Sequence, residues 1–109
     1  MPFNSALDDK IQHIVSKWPD IERKKMFGGT GYLSRGNMLT GVYKDLLVLR
    51  VGVSAEPELL TQAWCRPMDI TGKSMKGWLF VEPEGWDDDQ RLLQLLMQAR
   101  AFVDTLPAR

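Results

Sequence analysis

A chain of 109 residues, 44% hydrophobic and 26% charged, has the size and composition of one folded domain. At this length ~65% of the unfolded surface is buried on folding, so a core forms without disulfide or metal staples. Fourteen Lys+Arg offset fourteen Asp+Glu, which argues against disorder and against a dedicated nucleic-acid binder, whose affinity rests on a basic excess that releases counterions. One cysteine, Cys65, rules out an internal disulfide, and one histidine, His13, rules out a Cys/His zinc cluster. No apolar run approaches the ~20 residues of a membrane span. Met1-Pro2-Phe3-Asn4-Ser5 has neither the basic nor the apolar region of a signal peptide, so the expected location is the cytoplasm, with no membrane partner.

Ser5 is placed to cap a first helix, with Asp8 three residues on as a weak capping box. Leu7, Ile11, Ile14, Val15 and Trp18 recur at helical spacing, and Pro19 stops the pattern. Glu22-Arg23-Lys24-Lys25 reads as a solvated loop, with contact to phosphate or to an acidic partner surface as its functional reading. Residues 26–51 alternate short apolar segments with turn signals. Met26-Phe27 leads through glycines to Tyr32-Leu33, Ser34-Arg35-Gly36-Asn37 turns, residues 38–43 form a strand, Lys44-Asp45 connects, and Leu46-Leu47-Val48-Leu49-Arg50-Val51 is the strongest strand signal in the chain. This predicts a three-stranded antiparallel meander. Ser54 then caps a second helix, with Glu56, Pro57 and Glu58 in its first turn, Leu59, Leu60, Ala63 and Trp64 on its apolar side, and Pro67 at its end. Residues 68–70 and 78–81 predict two further strands joined through Gly72-Lys73-Ser74, and residues 83–85 a loop. Asp87, Asp88 and Asp89 open a last helix whose stripe is Leu92, Leu95, Leu96, Ala99, Phe102, Val103 and Leu106. Strands grouped between helices predict an α+β two-layer sandwich, order α-β(3)-α-β(2)-α, with one antiparallel sheet.

No motif specifies catalysis. Thr71-Gly72-Lys73-Ser74 lacks the upstream glycine of a phosphate-binding loop, where Pro67 stands, and runs into a strand instead of a helix. Gly28-Gly29-Thr30-Gly31 is not a dinucleotide fingerprint; it reads as a bent or bulged strand, or as bare backbone offered to a partner. His13 lies on the first helix between Ile11 and Ile14 and is read without a catalytic role. Cys65 stands beside Arg66, which would lower the thiol pKa if the two side chains met. Met26, Met38, Met68, Met75 and Met97 are expected in the core, whereas Trp78 and Trp86 bracket the last strand as candidate interface anchors.

Lys24-Lys25-Met26-Phe27-Gly28-Gly29-Thr30-Gly31-Tyr32 resembles the opening of TfoX/Sxy N-terminal domains. Gly36-Asn37-Met38-Leu39 is similar to that family's turn into its second strand, Leu46-Leu47-Val48-Leu49-Arg50-Val51 to a family strand, and Trp78-Leu79-Phe80-Val81-Glu82-Pro83-Glu84 to its late strand and exit. The resemblance covers residues 5–106 and implies the fold predicted above. It also implies a regulatory context, since full-length members regulate natural competence in bacteria together with the cyclic-AMP receptor protein and are not known as enzymes. Full-length members carry a second, helical domain resembling a helix-hairpin-helix module. With Leu106-Pro107-Ala108-Arg109 reading as a natural end, the expectation here is a stand-alone N-terminal domain.

The expected function is therefore a non-enzymatic protein-interaction module, with no catalytic residue, cofactor or metal, docking on a transcription regulator, on RNA polymerase or, as a homodimer, on a second copy that covers a sheet edge. The expected contact is the strand Met26, Phe27, Gly28, Gly29, Gly31 and Tyr32, rimmed by Arg23, Lys24 and Lys25. Its glycines suit strand addition, and Gly29→Val is expected to weaken binding without unfolding the domain. Two alternatives stand beside it. One is weak nucleic-acid binding by the basic N-terminal half, where residues 1–50 carry eight basic and five acidic side chains against six and nine in residues 51–109. The other is a small-molecule sensor with a pocket near His13 or Cys65.

Overall fold

The structure, a computed structural model, describes residues 3–26, 28–69, 72 and 74–108. Helix α1 spans Ser5–Val15, and its cap is Asn4 instead of Ser5: the Asn4 side chain accepts the Leu7 N–H at 3.0 Å. Pro19 ends the helical pattern, and Asp20, at φ 61, turns the chain into strand β1, Ile21–Met26. Strands β2 (Gly29–Ser34), β3 (Asn37–Tyr43) and β4 (Leu46–Arg50) follow by tight turns, and the β2–β3 turn uses positive φ at both Arg35 and Gly36. A single-turn helix α2 (Glu56–Leu59) leads to β5 (Cys65–Asp69) and β6 (Ser74–Val81). A short α3 (Pro83–Trp86) precedes the long α4 (Asp89–Val103).

The strands form one antiparallel sheet in the order β1-β2-β3-β4-β6-β5. The α+β class and the single antiparallel sheet are as expected; the details differ at three places. Residues 22–25 are strand, not loop, so four strands precede the second helix. That helix is one turn long, and Pro67 lies inside β5, an outer strand where a missing N–H is tolerated. Residues 83–86 are helical where a loop was expected.

Helices α1 and α4 pack on one face of the sheet. Leu7 and Ile11 of α1 and Leu92, Leu96 and Val103 of α4 meet Leu39, Leu47, Leu49, Leu79 and Val81 in a single core. Each such fully buried side chain contributes about 1.5–3 kcal/mol. Strand β4 is central and buried on both faces, which is why its apolar run is continuous instead of alternating. Arg35 in the β2–β3 turn donates to the carbonyls of Val103, Asp104 and Leu106, tying that turn to the C-terminal end of α4. Among the described residues no helix is long and apolar enough to cross a membrane.

The other face of the sheet gathers Leu46, Val48, Met68 and Phe80, with Met38, Tyr43 and Trp78 around them. Met26, Met38 and Met68 therefore sit at or near this second face, while Met75 and Met97 are exposed, contrary to the core placement expected of all five. Trp86 is buried and donates its ring N–H to the Asp45 carbonyl at 2.9 Å, which makes it a core anchor and not an interface residue.

Candidate interaction surface

Of the glycines expected as a contact strand, Gly29 and Gly31 lie on β2, between β1 and β3, and Gly31 is paired on both sides, with Lys24 and with Gly41. Their bareness serves the sheet itself. A Cβ on Gly29 would sit 1.9 Å from the Val42 carbonyl oxygen, and one on Gly41, the partner of Gly31, 2.2 Å from the Thr30 carbonyl oxygen. A Cβ on Gly31 would meet the Met26 methyl at 2.7 Å. The expectation that Gly29→Val leaves the fold intact is overturned, because backbone stands where the side chain would go. Gly28, at φ 74, faces open space. Phe27 lies outside the described residues.

Strand β1 is one of the two outer strands, and among the described residues it pairs only with β2. Its register sets Arg23 opposite Tyr32, Lys24 opposite Gly31 and Lys25 opposite Thr30. Lys24 and Lys25 are exposed and Met26 is half-buried. Tyr32, by contrast, is 1% exposed and points under α1.

What holds Tyr32 and Arg23 is Asp8. This carboxylate is buried, 3% exposed, on the packed side of α1. Tyr32 donates its hydroxyl to Oδ1 at 2.6 Å and Thr30 its hydroxyl to the same oxygen at 3.0 Å. Arg23 donates from Nη2 to Oδ2 at 2.6 Å and Gln12 from Nε2 at 3.0 Å. One carboxylate thus ties α1 to β1 and β2. Burial pushes its pKa up, but the bonds from Arg23, Tyr32, Gln12 and Thr30 outweigh it and hold the group below the usual carboxylate range. The same arrangement raises the Tyr32 pKa, first through burial and then through the hydrogen bond to Asp8 and its charge. A low-pKa acid beside a high-pKa phenol, both saturated with partners, positions strands and leaves no group poised to exchange protons near neutrality.

Cys65 and Arg66 alternate across β5 and do not meet. Arg66 lies over the Phe80 ring on the second face, while Cys65 belongs to the helix-side core. Burial, aided by the Glu56 charge, pushes the Cys65 thiol up to about 11. A thiol reagent at neutral pH should therefore react about a hundredfold or more slower with the folded protein than with the denatured chain; equal rates would mean that Cys65 is accessible. Asp88 caps α4 by accepting the Arg91 N–H at 2.9 Å, a bond that also keeps its carboxyl below the usual range. Asp89 pairs with Lys10 of α1. No cluster of three or more His, Cys, Asp or Glu side chains suited to a metal occurs among the described residues. In the Thr71-Gly72-Lys73-Ser74 turn, Thr71 and Lys73 lie outside the described residues; Gly72 donates its N–H to Asp69 at 2.7 Å, and a strand follows. His13 lines an open groove of about 670 Å³ between α1 and α4, with Ile14, Trp18 and Leu93 among its walls.

The TfoX N-terminal domain family matches residues 13–103. The chain belongs to that family. No curated protein matches it. In this TfoX N-terminal domain the family-like run from Lys24 to Tyr32 thus splits by structural role: Lys24 and Lys25 face solvent, Gly29 and Gly31 let strands approach, and Tyr32 joins the Asp8 network. Asp8, the residue that organises the region, was expected only as the acid of a capping box, whereas its carboxylate bonds Arg23, Tyr32, Thr30 and Gln12. The signal was its place on the apolar stripe: Leu7, Asp8, Ile11 and Val15 share the packed side of α1, so an acid there must find partners.

Proposed function

We propose that this TfoX N-terminal domain is a non-enzymatic regulatory module that works in the cytoplasm by binding another protein. The observation that supports it is strand β1, an outer strand of six residues without proline or bulge, anchored from beneath by Arg23 on Asp8 and showing Lys24 and Lys25 to solvent. Such an edge accepts an extended partner segment by strand addition, and its lysines both discourage indiscriminate pairing and favour an acidic partner. The contact is then Lys24, Lys25, Met26 and Gly28, with Arg23, Gly29, Gly31 and Tyr32 behind it as support. The regulatory context of full-length TfoX/Sxy proteins makes a transcription regulator or RNA polymerase the partner to look for.

The test is affinity purification of the tagged protein from its own cells, with and without nuclease, beside a Lys24→Glu/Lys25→Glu variant. A transcription protein retained through nuclease and lost from the variant is the expected result. Partners that vanish with nuclease transfer the reading to nucleic-acid binding. The groove beside His13 supports a second reading, a small-molecule sensor; a metabolite panel that raises the melting temperature of wild type, and fails with His13→Ala, is its expected signature.

A further inference from the structure

The sheet face turned away from α1 and α4 is apolar, yet no helical residue belongs to its cluster. Leu46, Val48, Met68 and Phe80 are only 2–8% exposed there, with Met38, Tyr43 and Trp78 packed against them. The Tyr43 and Phe80 rings stack 5.7 Å apart and 8° from parallel, reaching toward each other over β4, which runs between their strands. The Arg66 guanidinium lies 5.4 Å from the Phe80 centroid, the Lys44 ammonium 5.4 Å from that of Tyr43, and Arg50 5.0 Å from Trp78. Among the described residues neither Lys44 nor Arg66 forms an ion pair with a carboxylate. The surface is thus an apolar and methionine floor under a set of cations.

Three occupants fit an apolar sheet face in general, and the arrangement separates them. A second copy of the chain would set the same cations against themselves across a two-fold axis. A single-stranded nucleic acid needs free aromatic faces for its bases. Here Phe80 is flanked by Tyr43 from the β4 side and by Arg66 from β5, so its ring has no face left. An amphipathic helix with acidic flanks meets both demands: its apolar stripe packs on Met38, Tyr43 and Trp78, and its carboxylates pair with Lys44 and Arg66. Methionines at Met38 and Met68 suit this, since unbranched thioethers repack around a guest at low cost. The opposite face already packs helices on the same twisted sheet.

We infer that this face seats an acidic amphipathic helix of a partner protein, completing a helix–sheet–helix sandwich. It rests on the reading of the chain as a protein-interaction module, but uses side chains on the sheet face of β3 to β6 in place of the backbone edge of β1.

The probe is a helical peptide of about 18 residues with leucines on one stripe and glutamates beside it, next to a twin with lysine for each glutamate and an oligothymidylate. Titrations followed through the methionine methyl signals of the whole chain should show the acidic peptide shifting Met38 and Met68, with exposed Met97 on α4 as the unmoved control. Lys44→Glu/Arg66→Glu should weaken the acidic peptide by about tenfold or more and relieve the lysine twin. Lys25→Glu, opposite Thr30 and so on the helix side of β1, should leave the peptide affinity unchanged, which separates the face from the β1 edge reading. Equal affinity for the two peptides, shifts confined to Met97, self-association of the chain through this face, or binding of the oligothymidylate in place of the acidic peptide would each overturn the assignment. Because the methyl map uses the wild-type chain, a misfolded double variant does not remove the test.

Discussion

Asp8→Ala is expected to lower the unfolding free energy by about 3–5 kcal/mol, the cost of removing one partner of a buried ion pair. The change strands the Tyr32 and Thr30 hydroxyls beneath α1 and leaves the Arg23 guanidinium facing a cavity. Arg23 keeps a third of its side chain in water, so part of its loss is recovered by hydration and the lower half of the range applies. At about 4 °C per kcal/mol for a domain of this size, melting should fall by roughly 12 °C or more. Tyr32→Phe removes one bond and should cost about 1–2 kcal/mol.

The sign of the pH dependence follows from the depressed pKa of Asp8. A carboxyl whose folded pKa lies below its unfolded value of about 3.9 contributes its stability in full above that value, and loses it as pH falls through the lower folded pKa. Urea unfolding of wild type and Asp8→Asn should therefore differ most at pH 7, with the gap closing on acidification below about pH 4. A gap that stays constant from pH 7 to pH 2.5 would mean that shape, not charge, makes Asp8 matter.

How much of this was legible in the sequence depends on whether burial left a pattern. Residues 46–51 read as strand because β4 is covered on both faces, and α4 read as helix because one broad stripe meets the sheet. β1 did not, because an outer strand keeps most of its side chains in water and so lacks the apolar run that marks a covered strand such as β4. The second helix was read too long since Leu59, Leu60 and Trp64 fall at helical spacing, although they pack against the core from a single turn and the loop after it. The cationic rim of the second face was invisible for another reason. Lys44, Arg50 and Arg66 are far apart in the chain, and only the order β3-β4-β6-β5 brings their aromatic neighbours onto one surface. Composition and spacing located the family-like run from Lys24 to Tyr32, but what draws Arg23 and Tyr32 under the first helix is Asp8, which the spacing marked only as a capping-box acid.

Gly29→Val should fail to fold, and a graded set of glycine variants says why. At Gly29 and Gly41 the obstacle to a new Cβ is the carbonyl oxygen of the neighbouring strand, at 1.9 and 2.2 Å, and a hydrogen-bonded strand cannot move aside without breaking its ladder. Gly41→Ala is expected to cost at least about 3 kcal/mol, and Gly29→Ala as much. At Gly31 the obstacles are the Met26 sulfur and methyl and the Met38 methyl, the far ends of flexible side chains that swing away, so Gly31→Ala should cost about 1 kcal/mol. Gly28→Ala meets no atom but must hold φ near 74°, worth about 1–2 kcal/mol. Melting temperatures should then rank wild type highest, Gly31→Ala and Gly28→Ala next, and Gly41→Ala and Gly29→Ala last. If Gly29→Val instead melted like wild type, the close approach of β2 to β3 would be wrong and residues 28–31 would return as free backbone for a partner. Gly31→Ala has a separate use: it displaces Met26 and Met38 without touching a charge, so it alters the floor of the second face while leaving the rim of Lys44 and Arg66 in place. A partner helix held by its apolar stripe should feel that change at any salt concentration, whereas one held by its acids should lose affinity only as salt is raised.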